Sequence, residues 1–225
     1  MSADPAGEVA GSLPAKGARR AGKHLAHRWP WLARAGGAAV VLGISTALAS
    51  DGVSALEEDI FEKLHDVPRW IDYAVWAPMQ LGSAWAPPVA AALGWWLVRS
   101  WRPTIGALVA GWGGWWLAKG VKDIVERGRP AAELSPEIVR PPAVTEGLGF
   151  VSGHATVAFA CAAILSPYLP GRWRIAGYGL ATVVGLSRIV VGAHLPLDVV
   201  GGAALGLLLA WLWHAAVGVE VRDGG

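Results

Sequence analysis

The strongest constraint on this chain is a series of apolar segments, each close to the length that crosses a bilayer, separated by short polar stretches. Hydrophobic residues make up 54% of the 225 residues and charged residues only 16%, whereas a typical soluble domain is about 25% charged. Too few polar residues remain to cover a soluble enzyme. Because about 20 helical residues span the hydrocarbon core, we predict an all-α bundle of six transmembrane helices. Their ranges are 31–50, 81–98, 103–121, 152–169, 175–190 and 197–216.

Composition and charge exclude several other classes of protein. Cys161 is the only cysteine, so neither a disulfide framework nor a Cys-rich zinc site is possible. The high apolar content excludes a disordered chain. The net charge is only +2, and the basic residues flank apolar segments instead of covering a polar surface. We therefore expect no nucleic-acid partner, and the pattern leaves the oligomeric state open.

The predicted organisation is one membrane domain, residues 31–216, between two polar ends. Residues 1–30 are rich in Ala, Gly, Pro, Lys and Arg and are predicted to form a flexible, basic cytoplasmic tail. Residues 217–225 are predicted to form a short cytoplasmic tail. A cleaved signal peptide is the alternative for the N-terminal region. It is disfavoured because the first apolar run lies far from Met1 and no convincing cleavage site follows it.

The positions of the basic residues predict the orientation. With six spans, the N-terminal tail and the basic turns at 99–102 and 172–174 fall on one side, which the positive-inside rule makes cytoplasmic. The acidic segment 51–80 then lies outside, as an amphipathic helix on the bilayer surface. Its apolar positions are Leu56, Ile60 and Leu64. Four basic residues contradict the rule on the outer side, which indicates a role other than topology: Lys122, Arg127, Arg129 and Arg140.

Three polar clusters lie at the outer ends of different predicted spans, so we expect a single extracytoplasmic pocket there. Its cations are Lys122, Arg129 and Arg188. Arginine forks match the oxygens of a phosphate, and lysine acts as a point charge. Ser152 and the Gly153 amide come at a predicted helix N-terminus, where free N–H groups and the helix dipole favour an anion. The pocket is therefore suited to a phosphate group.

Two histidines and one carboxylate add reactive groups to this pocket. Asp198 comes four residues after His194, so the carboxylate can hold one imidazole nitrogen while the other faces phosphorus. Pro196 favours the first turn of a helix, which puts His194 just ahead of that helix. His154 can supply a proton. The other histidines near predicted span ends are expected to be solvated: His65 and His214.

Taken singly, these residues have simpler interpretations. Lys122 near the end of a span is most often a snorkelling anchor. Arg127 can pair with an acidic neighbour, Asp123 or Glu126, and have no other role. The combination of clusters at fixed spacings is poorly explained by chance.

The combined pattern resembles the signature of the type 2 phosphatidic acid phosphatase superfamily. That signature has three parts: Lys, six residues and Arg-Pro; then Ser-Gly-His; then Ser-Arg, five residues, His, three residues and Asp. The resemblance covers about residues 80–216, and one departure is Val151, where the family usually has proline. The matching residues are Lys122, Arg129 and Pro130; Ser152, Gly153 and His154; and Ser187, Arg188, His194 and Asp198.

The resemblance implies a phosphatase domain over residues 31–216 that needs neither a metal nor another cofactor. It implies that His194 attacks phosphorus to form a phosphohistidine and that Asp198 orients His194. It further implies that His154 protonates the leaving oxygen and then activates water. The residues it implies for binding the phosphoryl oxygens are Lys122, Arg129, Ser152, Gly153 and Arg188.

A membrane lipid with a phosphate or diphosphate head group is the substrate that this resemblance implies. Polyprenyl diphosphate, phosphatidic acid and phosphatidylglycerol phosphate all fit, and no sequence feature chooses among them. The expected location is a bacterial inner membrane, with the site on the extracytoplasmic side. Two alternatives remain open: a lipid phosphotransferase that uses the same pocket, and a non-enzymatic membrane protein that binds phospholipid.

Overall fold

The computed structural model describes residues 23–25, 28–135, 140 and 146–222. Most of the predicted N-terminal tail, part of the loop after residue 135 and the last three residues lie outside the described residues. The described chain is helical apart from two strands of three residues each, β1 (Lys23–Leu25) and β2 (Glu220–Arg222).

The α-helices among the described residues follow the predicted apolar segments closely. In chain order they are α1 (Trp29–Ser50), α2 (Ala55–His65), α3 (Trp70–Met79), α4 (Ala86–Val98), α5 (Trp101–Val125), α6 (Pro130–Glu133), α7 (Gly153–Leu165), α8 (Gly171–Val190) and α9 (Pro196–Val217). One helix overlaps each of the six predicted spans, namely α1, α4, α5, α7, α8 and α9. By length and apolar composition, α1 and α9 qualify as membrane-crossing helices, and α4 is a shorter apolar helix.

Some observed helix ends differ from the ends predicted from hydropathy, because prolines, 3-10 turns and residues in a left-handed conformation determine them. The second predicted span was expected from residue 81, but α4 begins only at Ala86, directly before a Pro pair that favours a first helical turn. The fourth was expected to reach 169, but α7 ends at Leu165 and a 3-10 turn, Ser166–Tyr168, follows. Helix α5 runs to Val125 and stops because Glu126 adopts a left-handed conformation with φ 54°.

The acidic segment forms two helices, α2 and α3, instead of one surface helix. Both pack against α8, and α2 also contacts α9. Phe61 on α2 is 1% exposed and packs with Ile189 and Leu195. Of the three predicted apolar positions, Leu64 packs against this cluster and Leu56 is 70% exposed. The face that carries Phe61 also buries Glu57.

Helix α7 lies at the centre of the bundle and contacts α4, α5, α8 and α9. Glycines allow its close approach to α9. A Cβ atom added at Gly202 would meet the backbone oxygen of Ser152, and one added at Gly206 would meet that of Thr156. Small residues permit such close contacts between membrane helices. The N-terminal ends of α7 and α9 are therefore held against each other.

Both ends of the described chain meet at the opposite end of the bundle. Strands β1 and β2 pair antiparallel, with Lys23 opposite Arg222. The Arg102 side chain at the start of α5 forms an ion pair with Glu220, and Tyr168 lies near the same two side chains. The starts of β1, α5 and α8 therefore share one end.

The prediction that His214 is solvated is wrong. His214 on α9 is 1% exposed, its ring centroid lies 4.8 Å from that of Trp31, and its Nε2 lies 3.2 Å from the Ala163 carbonyl oxygen. It lies between α7 and α1 because both helices pack against α9. His65 is partly buried, with Nδ1 2.9 Å from the Val190 carbonyl oxygen.

Candidate active site

A buried histidine and aspartate form the centre of the site. Helix α9 begins at Pro196, which confirms the predicted position of His194 just ahead of it. The Leu195 amide donates to Asp198 Oδ2 over 2.9 Å, and His194 Nδ1 lies 3.3 Å from the same oxygen. With its proton on Nδ1, the imidazole donates to the carboxylate and Nε2 keeps its lone pair.

Two of the predicted cations fix the loop that faces this pair. Lys122, in the last turn of α5, donates to the carbonyl oxygens of Leu148 at 2.7 Å and Gly149 at 2.6 Å. Arg129 donates through Nε to the Glu146 oxygen and through Nη1 to the Ala193 oxygen, both at 2.9 Å. These bonds join the end of α5, the loop before α7 and the residue before His194.

The third cation, Arg188, lies in the last turn of α8 and is 6% exposed. Its Nη1 is 3.0 Å from Met79 Sδ, and within the described part of the chain its buried Nε has no hydrogen-bond partner. Its own carbonyl oxygen accepts from the amides of Ala193 and His194, at 2.9 and 3.1 Å. Arg188 therefore supports the backbone that carries His194.

The N-terminus of α7 supplies the remaining predicted residues. Ser152 is the N-cap, its Oγ accepting from the Ala155 amide at 3.5 Å, and its own amide donates to the Asp198 carbonyl oxygen at 2.8 Å. Gly153 is the first residue of the helix. His154 packs beside Trp115, with 5.8 Å between ring centroids.

Electrostatic interactions connect the two histidines with the cations. Burial lowers the pKa of His194 well below its ordinary value, and the charges of Lys122, Arg188 and Arg129 lower it further, against a smaller opposing effect of the Gly149 backbone. His154 interacts with Arg188, His194 and Arg129. The structure thus brings all eight predicted site residues to one end of the bundle, and His194 is neutral at neutral pH.

Two further charged residues at the site were not predicted. Arg127 does not pair with Asp123 or Glu126; it binds Glu57, and its Nη1 lies 3.3 Å from Asp198 Oδ1. The left-handed Glu126 turns the chain back towards the bundle, which moves Arg127 away from its sequence neighbours. Its predicted position on the outer side, against the positive-inside rule, was the one sequence signal for such a role. No local pattern distinguished Glu57 from the exposed acidic residues around it.

Gly149 is also part of the site. Its amide donates to the Arg127 carbonyl oxygen at 2.7 Å. A Cβ atom there would lie 2.5 Å from the Gly128 backbone oxygen and 2.9 Å from Asp198 Oδ2. Only glycine therefore fits between these groups without displacing them.

The site thus combines a helical bundle with a buried histidine–aspartate pair and three cations. The model of the PAP2 superfamily matches residues 104–222, slightly more than half of the chain. The chain belongs to the PAP2 superfamily, which confirms the family predicted from its motifs.

Known relatives share parts of the chain. A lipid A 1-phosphatase of Porphyromonas gingivalis is 36% identical over 85 residues, covering 36% of this chain and 19% of that protein. An undecaprenyl-diphosphatase of Sulfolobus acidocaldarius is 32% identical over 99 residues, covering 44% of this chain and 46% of that protein. The matched segments thus span less than half of either relative.

A solved structure shares the fold. The transmembrane PAP2-type phosphatidylglycerolphosphate phosphatase of Bacillus subtilis superposes with a TM-score of 0.67 at 23% identity. The match covers 82% of this chain and 96% of that one. At this identity the likeness concerns the fold.

Proposed function

We propose that this protein is an integral membrane phosphatase that hydrolyses a lipid phosphate or diphosphate through a phosphohistidine intermediate. The observation that carries the proposal is the buried His194–Asp198 pair facing three cations, Lys122, Arg129 and Arg188. Membership of the PAP2 superfamily and the names of the curated relatives, all phosphatases of lipids, support the same class.

The proposed reaction has two steps. In the first, His194 Nε2 attacks phosphorus, the bond from phosphorus to the leaving oxygen breaks, and His154 gives that oxygen a proton. In the second, His154 removes a proton from water, whose oxygen attacks phosphorus and releases phosphate from His194. Throughout both steps, the Asp198 carboxylate accepts a hydrogen bond from His194 Nδ1–H and stabilises the positive charge on the ring.

Binding of the transferred phosphoryl group is assigned to the cations and to the start of α7. Phosphoryl transfer depends chiefly on positioning and on stabilisation of negative charge. Remaining N–H groups of Lys122, Arg129 and Arg188, with the Ser152 hydroxyl and the Gly153 amide, can donate to the three oxygens. The unpartnered, buried Nε of Arg188 supports this assignment, because a buried donor is normally satisfied. In this scheme the side chains of the protein stabilise the negative charge on the phosphoryl oxygens.

The proposed topology has six spans, α1, α4, α5, α7, α8 and α9, within a phosphatase domain of residues 31–216. Pairing of β1 with β2 puts both chain ends at the same end of the bundle, as an even number of crossings requires. The basic turns at 99–102 and 172–174 belong to that end, so it is cytoplasmic by the positive-inside rule. The site then faces the extracytoplasmic side of a bacterial inner membrane.

An apolar groove supports a lipid substrate. It has a volume of about 740 Å³ and runs between α4, α7 and α8, from Leu81 and Val184 to Trp96 and Trp173. Its Leu81 end adjoins Gly82, where an added Cβ would lie 2.6 Å from the backbone oxygen of His154. A lipid whose hydrocarbon tail lies in the groove would therefore place its head group beside the site. Polyprenyl diphosphate, phosphatidic acid and phosphatidylglycerol phosphate remain candidates, and the relative's name adds lipid A.

Phosphate release by the detergent-purified protein from these four lipids tests the proposal. We expect release from at least one of them, loss of release in His194→Ala, and retention in the control His65→Ala, which removes a partly buried histidine outside the site. Full activity of purified His194→Ala would overturn the assigned nucleophile. Failure of the wild type on the whole panel would overturn the activity itself.

A further inference from the structure

A buried ion-paired group connects the acidic segment with the catalytic pair. Arg127, which is 2% exposed in its side chain, binds Glu57 through both terminal nitrogens, at 3.1 Å from Nη1 to Oε1 and 2.5 Å from Nη2 to Oε2. Nη1 also lies 3.3 Å from Asp198 Oδ1. Glu57, Arg127, Asp198 and His194 thus form one continuous series of contacts.

These contacts fix both oxygens of the Asp198 carboxylate. Oδ2 receives the Leu195 amide and faces His194 Nδ1, while Oδ1 faces Arg127. A carboxylate held on both oxygens cannot rotate about its terminal torsion without losing a contact. Arg127 therefore determines which oxygen Asp198 presents to His194.

Glu57 fixes Arg127 in turn and joins it to the helix that carries Asp198. Its Oε1 accepts from the Leu197 amide at 2.9 Å, in the first turn of α9. Arg127 Nη2 also donates to the Gly52 carbonyl oxygen at 3.3 Å. The segment before and within α2 is thereby attached to the N-terminus of α9.

Stability alone is a weak explanation for this arrangement. Burying charged groups has a large desolvation cost, and apolar replacements of buried ion pairs are often as stable or more stable. Here two carboxylates share one guanidinium directly behind the residue assigned as the nucleophile. Burial of these charges costs free energy, and their geometry is specific. Their role in holding Asp198 in place explains the arrangement better than stability does.

We infer that Glu57 and Arg127 are positioning residues, which hold Asp198 in the orientation that directs His194 at the substrate. The inference rests on the proposed function and extends it to the acidic segment, which gains a defined role in the site. Neither residue contacts the phosphoryl group in this account; both act through Asp198.

Steady-state kinetics of Glu57→Gln and Arg127→Lys give the first test. Glu57→Gln retains an acceptor for the Leu197 amide, and Arg127→Lys retains the charge without the fork. Since misplacement of a reacting group by about 1 Å can cost about 100-fold, we expect kcat to fall about 10- to 100-fold. KM should stay within about twofold. Unchanged kcat in both folded variants would overturn the inference.

Asp72→Asn is the matched control. It removes another ion pair of the same segment, in which Arg140 Nη1 lies 3.4 Å from Asp72 Oδ1, and this pair does not contact the histidine–aspartate pair. We expect its kcat to remain at the wild-type value. An equal loss in this control would show a general structural effect and contradict a positioning role.

A double-mutant cycle separates positioning from a general structural effect. In an Asp198→Asn background the same two substitutions should lower the residual kcat by less than about twofold, because residues that act through Asp198 are not additive with it. Additive losses would contradict the inference.

A spectroscopic readout keeps the inference testable even if no substrate is found. The chain has six histidines, and ¹⁵N-histidine labelling with His194→Gln as a subtraction identifies the signals of the His194 ring. We expect its Nδ1 resonance to shift in Glu57→Gln and Arg127→Lys but not in Asp72→Asn. An unshifted resonance would overturn the positioning role, whereas an inactive wild type with shifted resonances would contradict only the proposed activity.

Discussion

At the scale of single residues, the site depends on a neutral imidazole held among positive charges. Burial and the nearby cations Lys122, Arg188 and Arg129 hold the pKa of His194 well below 6.5. A neutral ring is the form that can attack phosphorus. The cations proposed to bind the phosphate therefore also lower the pKa of the proposed nucleophile.

The pH profile of kcat/KM follows from this pKa. We expect the acidic limb due to His194 to lie below pH 6.5, and to move upward in Arg129→Gln, which removes one of the cations. Arg140→Gln, whose charge is not among those that lower this pKa, should leave the limb in place. A wild-type limb at pH 6.5 or above would contradict the account.

The same shift affects stability with a defined sign. Between the lowered pKa of His194 in the folded protein and 6.5, the unfolded chain binds a proton that the folded protein does not. The contribution of His194 to stability is therefore complete above 6.5 and falls as the pH drops through that window. Thermal unfolding in detergent should show a smaller loss of stability on acidification in His194→Gln.

Substitution of Gly149 tests how tightly the site is packed. The Cβ of Gly149→Ala would meet the Gly128 backbone oxygen at 2.5 Å and Asp198 Oδ2 at 2.9 Å, so we expect a large fall in kcat. Gly120→Ala on α5 is the control, because a Cβ there meets nothing within 4 Å, and alanine suits a helix interior better than glycine. Wild-type activity in Gly149→Ala, measured as phosphate release, would exclude this tight contact.

At the scale of helices, hydropathy predicted a helix in each of six segments, of which α1 and α9 are long and apolar enough to cross a membrane. The motif spacing predicted which helix ends meet. The ends of α4 and α7 were misplaced because prolines and 3-10 turns set them, not hydropathy. The burial of Glu57 could not be predicted, since its partner Arg127 is 70 residues away in the chain. The packing of Phe61 could not be predicted for the same reason: α8 and α9, against which α2 packs, are distant in sequence.

The crossing of α7 and α9 connects packing with the site. In Gly202→Ala the new methyl group would meet the Ser152 backbone oxygen and push apart the helix ends that carry His154 and His194. Overpacking of this kind costs about 1–3 kcal/mol. We expect a lower unfolding temperature and lower kcat, whereas Gly179→Ala on α8, with nothing within 4 Å of its Cβ, should resemble the wild type. A Gly202→Ala protein as stable and active as Gly179→Ala would show that α9 can shift freely.

At the scale of the whole molecule, the bundle has two chemically distinct ends. One end holds the paired strands and the basic turns, and the other holds the site with α2 and the loop before α7. The proposed orientation places the second end outside the cytoplasm.

Labelling of introduced cysteines in intact cells tests that orientation. Cys161 is the only cysteine and is buried, so a Cys161→Ala background gives a clean starting point. Lys63→Cys on α2, where the side chain is 72% exposed, should react with a membrane-impermeant maleimide. Arg172→Cys at the start of α8, exposed at the other end, should react only after lysis. The reverse pattern would invert the proposed topology.

The most direct measurement for the whole account is the site of covalent phosphorylation during turnover. A lipid substrate labelled in its phosphate is mixed with the purified protein and quenched in alkali, in which a phosphohistidine survives, and the labelled peptide is identified by mass spectrometry. The account predicts label on His194 and none in His194→Ala. Turnover with label on another residue, or with no labelled protein at any quench time, would contradict it.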